Sequence, residues 1–451
     1  MKNPADGILR IDFHILRHGD KVIWGVVVLL LLFSLLGVIS TSTIRQVSSI
    51  SSVFITFARD VLVGVLLMFL AYWLNYRLYR GLTWIVVVLT IGALVWAFFS
   101  GTVIEGQNAG RWVRIFGVSF QPSAFALIAM VMFTARYLEK YSRDPQRMLG
   151  WKHRVIDLWG PVLVMAALII PHNLSTGLIF LFTFYVMLVI GRYPFKHIAV
   201  TVLLFILGAV LVFGTYKAKP DLFEGTRVGT WMARIENYVS RSENKEMSKE
   251  ERDKYLQITA AQTAIALGGS LPAAGPGKSI QKYFLSQADS DFIFSILVEE
   301  YSVVGGAFIL LLFAVFAVRV TVQALRVEDR FGLLVLCGLL CVIMCQAIVH
   351  TGVNVGMLPV TGQNLPFISS GGTSIIASCL MVGIMQKIIM NAREKTPLPP
   401  LPSSPSSDPQ PQPEVSAPEA FPKEEENNTP EEDTPEEQKR QEKARQILEN
   451  I

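Results

Sequence analysis

The stretch SDFIFSILVEEYSVVGG, residues 290–306, opens an apolar block running from Phe292 to Val318 and places three carboxylates, Asp291, Glu299 and Glu300, at its mouth. A helix needs about 20 such residues to cross the hydrocarbon core of a bilayer. Ionisable groups in a segment of this kind are costly, so each is a functional candidate by default. Glu299 and Glu300 follow Asp291 by a little over two helical turns, and the three are expected to share one face that lines a polar cavity.

Outward from this block, nine more apolar segments fall at Val22–Ser40, Val53–Asn75, Trp84–Phe99, Phe116–Phe133, Leu158–Ile170, Leu174–Ile190, Ile198–Phe213, Phe331–His350 and Ser374–Ile389. The chain of 451 residues is 51% hydrophobic, with a mean hydropathy of +0.43. The fold class that follows is an all-α polytopic membrane protein of about ten transmembrane helices. The fifth and sixth segments are short and meet at Pro171-His172-Asn173, as a tight hairpin or a tilted pair would.

Orientation follows from the bias of Lys and Arg in short loops. With the N-terminus inside, the inner loops hold Lys2, Arg10, Arg17, Lys21, Arg77, Arg80, the six basic residues from Arg136 to Arg154, Arg192, Lys196, Arg319, Arg326 and Arg330. The short outer loops hold only Arg45, Arg111 and Arg114. An even number of spans then leaves both termini in the cytoplasm. The first apolar block follows a polar lead of residues 1–21 and ends without a small-residue cleavage site, so it reads as an uncleaved span.

Residues 22–392 are therefore expected to form the membrane domain, interrupted by a long external loop at 214–287 that carries the run SRSENKEMSKEERDKY. Residues 393–451 contain PLPPLPSSPSSDPQPQP and then acidic and mixed-charge runs. That composition buries too little apolar surface to fold, and a disordered cytoplasmic tail is expected.

Other signals carry less. GPGKS at 275–279 resembles the end of a phosphate-binding loop, but Pro272 stands where that loop needs glycine. Cys337, Cys341 and Cys345 recur every fourth residue with no His or carboxylate between them, a spacing that suits helix packing better than a metal site. No disulfide framework is implied, no metal ligand set is found, and no nucleic-acid partner is expected.

The outer face near Asp291 is where chemistry can be assembled. The loop before the fourth block, GQNAGRWVRIFGVSFQPS, supplies Arg111, Trp112, Gln121 and Ser123, and the last external loop reads NVGMLPVTGQNLPFISSGGTS. The latter is uncharged and dense in Gly, Pro, Ser and Thr. Irregular backbone at membrane depth is tolerated only where it is buried in protein or lines a wet cavity.

Together, LPVTGQNLPFISSGGTS, NAGRWVRIFGVSFQPS, TWMARIENY, GPGKSIQKYFL and SDFIFSILVEE resemble the signature segments of the SEDS family, the FtsW and RodA proteins of bacterial division and elongation, over about residues 20–392. The resemblance implies a peptidoglycan glycosyltransferase of the cytoplasmic (inner) membrane that polymerises lipid II, at the division septum if of the FtsW type. It implies as partners a class B penicillin-binding protein, divisome or elongasome proteins, and membrane lipid. The family's essential aspartate falls on Asp291. Its substrate and diphosphate motif falls on Arg111, Trp112, Gln121, Pro122, Ser123, Arg234, Lys278, Ser279, Gln281, Asn354, Pro359, Pro366, Ser369, Gly371 and Gly372, with Glu299 and Glu300 lining the cavity. The G-x-G-x-S-x-Q-K pattern from Gly275 to Lys282 favours the FtsW branch over RodA.

Several positions depart from the family pattern. Ala124 and Leu127 stand where a Glu and a Lys are common, Asn173 and Ser175 where an acidic-glycine pair is usual, and Ser370 where an aromatic is frequent. Any role of the missing charges does not carry over, so the expected mechanism rests on Asp291 as general base and on the arginines. A sugar hydroxyl is a poor nucleophile at neutral pH and gains from a carboxylate that accepts its proton. The departing diphosphate needs cations, for which Arg111, Arg234 and Lys278 are available, and a divalent cation is the one cofactor this chemistry suggests. Two readings from other classes fit the same residues: a lipid-linked precursor flippase or transporter, and a non-catalytic division scaffold.

Overall fold

The computed structural model describes residues 19–42, 50–100, 113–115, 118–219, 249–269, 273–285 and 287–395, with a few isolated residues between 223 and 232. The chain divides into Met1–Leu398 and Pro399–Ile451. The second unit, and with it the expectation of a disordered tail, lies outside the described residues. So do Arg111, Trp112 and Arg234.

In chain order the helices are α1 (Lys21–Ser42), α2 (Ile50–Trp73), α3 (Tyr76–Ser100), α4 (Pro122–Arg143), the single turn α5 (Pro145–Met148), α6 (Gly160–Ile169), α7 (Leu174–Ile190), α8 (Phe195–Ala218), α9 (Lys249–Gly268), α10 (Ile293–Ala324), α11 (Arg330–Asn354) and α12 (Gly372–Lys395). A π-helical stretch, His153–Trp159, leads directly into α6. Each of the ten apolar blocks therefore coincides with a helix. Seven of these, α1, α2, α3, α8, α10, α11 and α12, are long and apolar enough to cross a membrane. α7 is shorter and apolar, whereas α4 is sheathed by the others from Pro122 to Leu138.

Local chemistry sets the starts of these helices. Asp20 Oδ1 accepts from the amides of Val22 and Ile23 ahead of α1, Asn173 Oδ1 from Thr176 at α7, and Asp329 Oδ2 from Gly332 at α11. Each satisfies an amide that has no partner within its own helix. The outside of the bundle is apolar: on α8, Leu203 is 64% and Val210 61% exposed. An apolar exterior of this extent suits hydrocarbon, where the backbone is satisfied inside each helix.

Three boundaries differ from expectation. The fourth span does not begin at Phe116, because Val113–Ile115 and Val118–Phe120 pair as an antiparallel two-stranded hairpin, β1 and β2. The helix waits for Pro122, whose fixed φ suits a first turn. Within the expected external loop 214–287, α8 continues to Ala218 and α9 adds twenty further helical residues. Asp291 precedes α10 instead of riding on it, whereas Glu299 and Glu300 lie within the helix and both turn toward Ser279. The three carboxylates do not share a face.

Candidate functional site

Asp291 sits in the turn Gln287–Asp291, its amide donating to the Gln287 carbonyl at 3.0 Å, and its side chain is half-buried. The loop between α11 and α12 grips this turn from the other side. Ser369 Oγ donates to the Ser290 carbonyl at 2.7 Å. The Ser370 amide donates to the Asp289 carbonyl at 2.9 Å, and Ser370 Oγ to Asp289 Oδ2 at 2.7 Å. From the end of α11, Asn354 Nδ2 donates to the Asp291 carbonyl at 3.0 Å. The main chain carrying the aspartate is thus held by side chains from two distant segments, and the loop's irregular backbone is satisfied by protein partners, as burial in a membrane requires.

The saturation of these partners decides what they can do. Asn354 is fully buried, and its Oδ1 accepts from the Ser295 amide and hydroxyl while Nδ2 also donates to the His350 carbonyl. Ser369, equally buried, also accepts from the Leu365 amide. Both were expected at the substrate. Here they position the turn, and Asn354 has no polar hydrogen or oxygen left to offer.

Glu299 and Glu300 hold a second loop. Glu299 accepts from Ser279 Oγ and from the amides of Ile280 at 2.9 Å and Gln281 at 3.4 Å. Glu300 Oε1 accepts from the Ser279 amide at 3.2 Å and from Ser40 Oγ on α1. Both carboxylates are buried, so they clamp residues 273–285 instead of lining open space. Directly after them α10 breaks at Ser302, with φ 69° and ψ 168°, a region that side-chain-bearing residues rarely enter. The Glu299 and Glu300 carbonyls accept from the amides of Ala274 and Gly275. Gly275 at φ +90° and Gly277 at φ +74° give the loop the left-handed turns this docking needs. Lys282, 1% exposed, donates from Nζ to the carbonyls of Ser40 and Gly277. Ser279 is buried in the clamp, Gln281 is half-buried, and Lys278 is exposed.

Gln121 and Ser123 lie at the start of α4, where the Gln121 amide meets Thr373 Oγ1 of α12 at 3.3 Å. They line a cleft of about 30 Å³ with Ala124, Leu127, Asn173, Thr176, Gln346, Gln363 and Asn364. Three of the positions that depart from the family pattern therefore meet at one place. What remains is a neutral lining rich in side-chain amides.

Gly371 precedes α12 and Gly372 starts it, and a Cβ at Gly372 would overlap the carboxylate of Asp60. Asp60 is buried, pairs with Arg59 at 2.8 Å, and lies at the amide end of a helix, which favours an anion. Sequence reasoning passed over this residue. The signal was available: Arg59 and Asp60 are the charged pair inside the second apolar block. Asp289 was likewise missed.

The sequence matches the profile of the family described as "Cell cycle protein", FtsW/RodA/SpoVE, over residues 20–394. Stage V sporulation protein E of Bacillus subtilis (strain 168) is 29% identical over 382 residues, 83% of this chain and 98% of that protein. The probable peptidoglycan glycosyltransferase FtsW of Hydrogenovibrio crunogenus is 31% identical over 335 residues, 72% of this chain and 77% of that protein. Among solved structures, a chain of a peptidoglycan synthase complex that coordinates polymerization and crosslinking superposes with a TM-score of 0.65 at 22% identity, covering 84% of this chain and 99% of that one. The rod shape determining protein RodA of Thermus thermophilus does so with a TM-score of 0.55 at 21% identity, covering 82% and 96%. These likenesses show the fold. With the profile match spanning nearly the whole membrane domain, the chain belongs to the FtsW/RodA/SpoVE family of cell cycle proteins.

Proposed function

We propose that this protein is a peptidoglycan glycosyltransferase that polymerises lipid II on the outer face of the cytoplasmic membrane, with Asp291 as general base. The observation that carries the reading is the fixed main chain of Asp291: Asn354 and Ser369 hold the turn on two sides while the carboxylate side chain stays half-exposed. A general base needs a set position and access to the proton it removes. The 4-hydroxyl of the incoming sugar attacks the anomeric carbon of the growing strand, its proton passes to Asp291, and the lipid diphosphate departs with the electrons of the broken C–O bond. Lys278, exposed on the clamped loop, and the arginines at 111 and 234 are the cations assigned to that diphosphate. Among the described residues no three His, Cys, Asp or Glu side chains gather to hold a metal ion.

Family membership supports a class B penicillin-binding protein as partner within the divisome or elongasome, and a septal location if the FtsW-like Gly275–Lys282 pattern is the guide. Both termini are assigned to the cytoplasm on the Lys and Arg bias of the short loops. A cysteine at Ser407 that reacts with an impermeant thiol reagent in intact cells would reverse that orientation.

The test is polymerisation of purified lipid II by the full-length protein with its cognate penicillin-binding protein. Wild type should yield glycan strands, and Asp291→Asn should lose about 10²- to 10⁴-fold in rate while still inserting and binding its partner. Translocation of lipid II across vesicles with no polymer formed would support a transporter instead.

A further inference from the structure

We propose that a cleft at the opposite end of α4 from Asp291 binds the phosphate of an anionic membrane phospholipid. The cleft has a volume of about 470 Å³, within the usual range for small-ligand sites. Arg136, Lys140 and Arg143 enter it from the last turns of α4, Arg147 from α5, and Trp84 of α3 with Phe133 forms its apolar side. The Gln121 end of α4 contacts α12 beside the loop that holds Asp291. Twenty residues separate Ser123 from Arg143, about 30 Å of helix, so the two sites face opposite surfaces of the bilayer.

The charges leave a positive remainder. Buried Glu139 is engaged by Arg143 at 2.7 Å and Arg80 at 3.3 Å, with Arg136 at 3.8 Å. Asp157 is bonded by His153 at 2.6 Å, and Asp144 caps α5 by accepting from the Arg147 amide at 3.1 Å. Among the described residues Lys140 and Arg147 form no ion pair. Asp144 and Asp157 at the rim, together with the carbonyl end of α4, oppose a multiply charged free anion. A phosphodiester carries a single charge and suits this balance.

The apolar side selects the lipid. Trp84 is 46% exposed and meets Phe133 edge-on with centroids 5.3 Å apart. It continues into the exposed Val88 and Leu89 on the outer surface of α3, along which acyl chains can lie. A tryptophan at the bilayer surface beside a basic pocket between helices is a recurring headgroup arrangement.

The experiment is native mass spectrometry of the full-length protein titrated with phosphatidylglycerol or phosphatidylcholine. Wild type should retain phosphatidylglycerol preferentially, and Arg136→Gln/Lys140→Gln/Arg147→Gln should lower its occupancy at least about tenfold with phosphatidylcholine unchanged. A control triple, Lys196→Gln/Arg326→Gln/Arg330→Gln, should leave retention intact. Should the first triple fail to fold, Arg147→Glu alone on the exposed α5 turn gives the same readout, as does Trp84→Ala for the acyl contact. Unchanged phosphatidylglycerol retention, or an equal loss in the control, overturns the site. Displacement by millimolar inorganic phosphate overturns its assignment to lipid.

Discussion

Asn354 and Asp291 are joined by a single hydrogen bond, from Asn354 Nδ2 to the Asp291 carbonyl at 3.0 Å, although 63 residues separate them in sequence. The asparagine ends α11 and the aspartate precedes α10, so the bond ties these two helix ends together. It orders the aspartate through its main chain. The carboxylate is thereby placed without a side-chain clamp from Asn354, and its basicity need not be quenched by that contact.

Removing this tie should cost activity before it costs folding. Asn354→Ala leaves the Asp291 carbonyl and the Ser295 amide and hydroxyl without their partner, a penalty of about 1–3 kcal/mol for buried groups. Polymerisation turnover should fall while lipid II binding changes little. Equal loss of both in steady-state assays would place Asn354 at the substrate.

Glu299→Gln should loosen the 273–285 loop. Glu299 Oε2 accepts from Ser279 Oγ and the Gln281 amide, and Oε1 from the amides of Ile280 and Gln281; the substitution turns one of these oxygens into an amide nitrogen that presents hydrogens to its donors. Hydrogen exchange at Ile280 and Gln281 should rise by about tenfold or more, given the cost of an unmade buried bond. Exchange unchanged from wild type would show that the loop is held elsewhere.

Ser302 holds φ 69° and ψ 168° inside α10, where glycine is the residue without steric penalty. Ser302→Gly should raise thermal stability by about 1 kcal/mol, and Ser302→Val should lower it by at least as much. A midpoint that falls for glycine and rises for valine would mean the break is absent in the membrane.

Asp20 predicts the acid limit. Burial alone would raise its carboxyl, but the hydrogen bond from Arg319, the Ile23 amide, and the charges of Arg319 and Arg393 outweigh it and hold the group below the ordinary value. A lowered folded pKa contributes stability above the unfolded value of about 3.9, lost as pH falls through the folded one. Thermal midpoints should therefore be flat near neutrality and drop below about pH 4. Asp20→Asn should be less stable at pH 7 and show a shallower acid slope, since Arg319 at 2.9 Å and Arg393 at 2.6 Å lose their counter-charge.

Much of the fold was legible in the chain itself. Each of the ten apolar blocks coincides with a helix, and their caps at Asp20, Asn173 and Asp329 are short-range features. The misreadings were of another kind. The fourth block reads as a span from Phe116, but Val118–Phe120 pairs with Val113–Ile115 and the helix begins only at Pro122. Glu299 and Glu300 read as cavity-lining under the assumption of one unbroken helix, yet the break at Ser302 hands their carbonyls, and their carboxylates, to a loop some twenty residues earlier. The motif resemblance alone places Asn354 and Ser369 at the substrate, and the tertiary structure adds that their side chains hold the Asp291 turn. Hydropathy adds up locally along the chain, so segments and spans can be read from it. Whether a buried polar atom is free for a substrate depends on a partner that folding brings from far away, and only the tertiary structure decides that.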